Sequence, residues 1–154
     1  MLARIQTLYL FLAGLLAIAS MMFPFWSFST ATLFFVTDFT SYPEAGIMQV
    51  TSNFAAGIFS PLTAIVAIAA IFLYKKRALQ KKLILLGILL FACDLLSGLA
   101  AAHFMNQYFN CTCLTFSHRP EAGLYLLLPE PVLFWLALGG VKKDDKIANA
   151  YKRL

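Results

Sequence analysis

The sequence predicts an all-α membrane protein: a four-transmembrane-helix bundle with a short β-hairpin in the first outer loop and an amphipathic C-terminal tail. Three observations predict it. The chain has 154 residues, of which 61% are hydrophobic and 12% charged. Soluble domains run at about 45–50% apolar and about 25% charged. The apolar residues gather into four runs, each close to the roughly 20 residues a helix needs to cross a bilayer. Eleven of the 12 basic residues fall in the N-terminal stub, the second connection and the tail. A single four-span domain over residues 1–154 uses the whole length and leaves no room for a second folded unit.

The first span is expected at about 5–25. Its apolar run is longer than the roughly 7–15 residues of a signal peptide, and LAIASMMFPFW offers no small-x-small cleavage site, so it reads as a retained anchor. The other spans are expected at about 55–74, 83–104 and 122–141. Arg4, then Lys75, Lys76, Arg77, Lys81 and Lys82, then Lys142, Lys143, Lys146, Lys152 and Arg153 fall on one side, and Arg119 alone on the other. The positive-inside bias then places both termini and the middle connection in the cytoplasm. The net charge of +5 is a topology signal, and nucleic-acid binding explains it less well because the charges abut the spans.

The first outer loop is apolar. Phe23, Phe25, Trp26 and Phe28 suit a membrane interface. Leu33 to Tyr42 mixes aromatic and β-branched residues with Ser and Thr, and YPEAG is a turn signal before IMQVTS. A hairpin is expected, with strands within 26–42 and 47–52. Trp26, Phe28, Phe34 and Phe35, with Tyr151 of the tail, form a candidate partner surface; the alternative is that these rings pack on the helix ends. The second outer loop carries Cys111 and Cys113, a C-x-C pair that is a possible disulfide. With His103, His118 and Glu121 nearby a metal is conceivable, but one C-x-C without a second pair is a weak signal, and no metal or other cofactor is expected.

Two carboxyls interrupt the spans, and intramembrane ionisable groups are functional candidates by default. Asp94 lies about 16 Å into the third span and Glu130 about 12 Å into the fourth, in a core about 30 Å thick. Both fall near the midplane of antiparallel neighbours, with no Lys or Arg in any span, so they form a candidate intramembrane acid pair. It reads either as a proton or cation path or as a neutral hydrogen-bonded packing pair. Asp94, Gly98 and Ala102 share one helix face, matched by Ala56, Ser60 and Ala64 on the second span. Pro129 and Pro131 flank Glu130, so a kink is expected there. In the tail, Ile147, Tyr151 and Leu154 fall on one face among lysines, as in a helix lying on a membrane surface or docking a partner.

No HExxH, GxSxG or phosphate loop is present, so no catalytic residue and no small-molecule substrate are assigned. The expected function is a non-catalytic subunit or assembly factor of a larger membrane complex. The alternative is a small proton- or cation-coupled transporter using Asp94 and Glu130.

ARIQTLYLFLA, FPFWSF, FLYKKRALQKKL and VKKDDKIANAYKRL, in that order, resemble a family of small bacterial inner-membrane proteins known only as a domain of unknown function. The resemblance spans nearly the whole chain. It implies four helices in the inner (plasma) membrane of a Gram-negative bacterium. It implies no activity, and it assigns no functional residues.

Overall fold

The computed structural model describes residues 3–112 and 115–151. Helix α1 (Ala3–Met22) leads into strands β1 (Trp26–Ser29) and β2 (Leu33–Val36). A 3-10 turn at Pro43–Ala45 precedes α2 (Ile47–Phe72) and α3 (Arg77–Cys111). Strand β3 (Ser117–Pro120), α4 (Ala122–Leu127) and α5 (Glu130–Tyr151) follow. Four helical stretches are long and apolar enough to cross a membrane: Ile5–Met22, Ile47–Phe72, Arg77–Cys111 and Ala122–Ala148. They close into a ring in which α1 packs on α2 and α5, and α3 on the same two.

The helices run past the expected spans for identifiable reasons. IMQVTS looks like a strand because of Ile47, Val50 and Thr51. It is instead the start of α2, so the expected strand at 47–52 is not there. Gly46, at φ 96°, turns the chain into the helix. Gln49 and Asn53 then fall on the inward face and are buried against the preceding loop. Helix α3 has 35 residues, about 52 Å at 1.5 Å per residue. It outruns a bilayer core, and its last turns supply Met105 and Phe109 to a cap built with Phe28 and Val36.

That cap holds a three-stranded antiparallel sheet, ordered β2-β1-β3. The first-loop hairpin exists as β1 and β2, with Trp26 opposite Val36 and Ser29 opposite Leu33. The second loop adds β3, placing Trp26 opposite Pro120 and Ser29 opposite Ser117. The chain is pinned on both sides of β1. The Gly123 amide donates to the Pro24 carbonyl at 2.9 Å. A Cβ on Gly123 would lie 2.7 Å from the Phe23 carbonyl oxygen, so only glycine fits.

The kink at the prolines is present: α4 ends at Leu127 and α5 begins at Glu130. Leu128 keeps helical angles, so the helix is interrupted without the chain turning back. The tail differs from expectation. It is no separate surface helix, because 142–151 continues α5. Its inward contacts are acidic: Gln6 donates to Asp144 Oδ2 at 2.7 Å, Arg77 to the Asp144 carbonyl at 2.9 Å, and Lys81 pairs with Asp145. Ile147, placed on the expected docking face, points outward and is exposed.

Candidate functional site: carboxyls buried beneath the sheet

Helix α2 carries a line of inward polar side chains, Gln49, Asn53 and Ser60, all buried. They hold the loop after β2. Gln49 Oε1 accepts the Tyr42 amide at 3.1 Å. Asn53 Nδ2 donates to the Thr37 carbonyl at 2.7 Å and also to the Thr40 carbonyl. Phe39 sits at φ 61°, a strained conformation for a bulky residue. Its ring is seated over Gly57, where a Cβ would come within 2.8 Å of it, and edge-on to Phe54.

This clamp delivers Asp38 to the bundle. Ser60 Oγ lies 3.2 Å from Asp38 Oδ2 and 2.7 Å from Asp94 Oδ2. A hydroxyl has one proton to donate. Both contacts are hydrogen bonds only when one carboxyl also carries a proton and donates to Ser60. Burial pushes the Asp38 carboxyl up to about 6, with the Ser60 bond pulling the other way.

Asp94 is 3% exposed and Glu130 0%. Both sequence-predicted acids are therefore buried, one on α3 and one at the start of α5, two helices that pack together. The two acids share no hydrogen bond. Neither Glu130 oxygen has a partner among the described residues. The small faces of α2 and α3 meet as expected, with Ser60 bonded to Asp94. Asp38 is not among the sequence-predicted site residues; the signal for it is a lone acid, TDFT, following the apolar run LFFV. Beyond Glu130, toward the basic end, lies an apolar buried cluster that includes Leu10, Ala67, Ile84 and Phe134. Gln6 and Gln80 are buried at the basic end itself, Gln6 on Asp144 and Gln80 on the Ala70 carbonyl.

The other candidates fall elsewhere. Phe28 is 1% exposed, stacked with Phe109 and Phe116, so it is cap core and not partner surface. Trp26 and Phe34 are half-buried, Trp26 against His118 and Phe34 against Tyr42 and Phe109. Of the four loop rings only Phe35 is exposed. The Tyr151 side chain and Cys113 lie outside the described residues, and with Cys113 so does the possible disulfide; Cys111 is exposed and bonded to no other cysteine among the described residues. His118 stacks on Trp26, Phe28 and Phe116. Glu121 is bound by Ser27 at 2.7 Å and Arg119 at 2.8 Å, which hold its carboxyl below the usual range. Among the described residues no three His, Cys, Asp or Glu side chains converge as metal ligands.

Fold and site together define a four-helix protein with membrane-length apolar helices, capped at one end by a sheet that covers buried carboxyls. Residues 2–154 match the family described as Domain of unknown function (DUF4293), and the chain belongs to that family. No curated protein and no solved structure matches it.

Proposed function

We propose that the chain is a non-catalytic integral subunit or assembly factor of a larger complex in a bacterial inner membrane. In this reading both termini and the α2–α3 turn are cytoplasmic, and the sheet faces outward. Eleven of the 12 basic residues support that orientation.

One observation carries the reading, and it is a glycine without an internal reason. Gly57, Gly87, Gly98, Gly123 and Gly140 are each pressed by a side chain or backbone that a Cβ would strike. Gly139 is not; a Cβ there meets nothing within 4 Å. A mid-helix glycine costs about 1 kcal/mol relative to alanine. Gly139 lies in a groove of about 550 Å3 between α1 and α5, lined by Ile5, Tyr9, Trp135 and Leu136, with Lys143 at its basic end. In lipid, small residues mark the places where two helix backbones approach closely. The occupant that fits is a membrane-crossing helix of a partner protein.

The carboxyls serve the cap in this reading. A transport path would have to continue past Glu130, where the Leu10 and Phe134 cluster is apolar.

The test is a photo-crosslinker placed at Gly139 and, as control, at Ile65, an exposed position on α2. Position 139 is expected to capture one partner reproducibly and position 65 none. Gly139→Leu should keep or raise thermal stability while releasing that partner on purification in mild detergent. If the variant retains its partner, or both positions capture the same proteins, the groove is not the interface.

A further inference from the structure

We infer that the cleft at the α2–α3 turn is a binding site for the phosphate of an anionic lipid headgroup. The inference rests on the membrane reading above but not on the Gly139 groove, which is lined by α1 and α5. The cleft encloses about 720 Å3 and is lined by Tyr74, Lys75, Lys76, Arg77, Leu79 and Asp145. Three consecutive cations converge there because the turn between two long helices is short. Lys75 and Lys76 are exposed, and the Lys75 ammonium lies 5.9 Å from the centre of the Tyr74 ring. Arg77 is half-buried and held by its bond to the Asp144 carbonyl. That bond uses one of its five donors and leaves the guanidinium oriented.

The acid in the lining does not compete for the site, since Asp145 is paired with Lys81. The first turn of α3 contains no carboxylate. The surroundings favour a lipid over free phosphate. Phe72 is 76% exposed, and Tyr74 and Leu79 are exposed beside the cations. Apolar surface adjoining a cationic cleft at the end of a membrane-length helix matches a headgroup with its acyl chains still in the bilayer.

The test uses the full chain in nanodiscs of phosphatidylcholine, alone or with a minority of phosphatidylglycerol or cardiolipin, and native mass spectrometry to count retained lipids. The wild type is expected to retain the anionic lipid selectively, and less of it as ionic strength rises. The double variant Lys75→Gln/Lys76→Gln should lower its affinity roughly 30-fold, at about fivefold per charge. Lys142→Gln/Lys146→Gln removes the same charge at exposed positions outside both the cleft and the Gly139 groove and should change little. Circular dichroism checks that both variants fold, as the exposed positions of Lys75 and Lys76 predict.

Equal losses in the two double variants would reduce the effect to diffuse charge and overturn the inference. So would equal retention of phosphatidylcholine, or a wild-type complex without salt dependence. Inorganic phosphate binding the detergent-solubilised protein as tightly as the lipid does would make this a soluble-anion site and overturn the lipid assignment. A chain that enters nanodiscs but keeps no anionic lipid defeats this inference alone. A chain that does not enter them defeats the membrane reading as well.

Discussion

Ser60 has one hydroxyl proton and two carboxyls beside it, so the stability of the site depends on which acid holds the missing proton. Asp94→Asn keeps a hydrogen-bonding group and should hold stability close to the parent's in detergent unfolding. Asp94→Leu removes it and should cost about 1–2 kcal/mol, the scale of one interhelical hydrogen bond in lipid. Glu130 should behave in the opposite way. Its oxygens are buried with no partner among the described residues, so Glu130→Met, of similar length, should gain roughly 1 kcal/mol by removing an unsatisfied polar group. A loss there would mean that Glu130 is satisfied from outside this chain. The pH dependence has a definite sign. Asp38 is raised from 3.8 to about 6 in the fold, so the folded state binds the extra proton. Its contribution is fully present below the lower value and disappears as pH rises through the upper one. Unfolding midpoints across that window should fall with pH in the parent, and the slope should flatten in Asp38→Asn.

Elements were legible where periodicity decides and illegible where a distant partner decides. The four long apolar stretches were readable because twenty consecutive apolar residues admit few other structures. The kink followed from two prolines flanking Glu130. The start of α2 was not readable. Ile47, Val50 and Thr51 have strand character, while what fixes the helix there is Gln49 and Asn53 gripping a loop that precedes them. Strand β3 was hidden for the same reason: SHRP has no strand signature of its own and pairs only because β1 is held beside it. The tail is not a separate surface helix because Asp144 and Asp145 are bound by Gln6 and Lys81. The loop clamp can be tested at this scale. Asn53→Ala leaves the Thr37 and Thr40 carbonyls without their donor and should cost about 1–3 kcal/mol. Hydrogen exchange should then speed up in residues 37–42 and in the first turns of α2, with α5 unchanged. Uniform acceleration across all helices would show that the loop is not a separate clamp.

Across the whole molecule, charge placement carries the proposed orientation, which composition alone leaves open. Reporter fusions after Gly46 and Pro120 should report the outside, and fusions after Ala78 and Leu154 the cytoplasm; one reversed reporter breaks the proposed orientation. The two-ended character of the interior was not legible in the sequence. Buried carboxyls gather under the sheet, separated by an apolar cluster from the buried Gln6 and Gln80 at the basic end, because loop residue Asp38 is folded in among helix residues and a linear reading assigns it to the surface. The sheet itself bears on the order of assembly. Its middle strand is flanked by β2, made immediately after it, and by β3, made only after α2 and α3 are complete. Ser27 on that strand bonds to Glu121, 94 positions later. Throughout synthesis of the two longest helices one edge of β1 is bare, and a bare edge is a template for wrong pairing. Closure of the sheet therefore records that three of the long helices are complete. A nascent chain stalled before residue 117 would display an open strand by which quality control can distinguish it from a finished one.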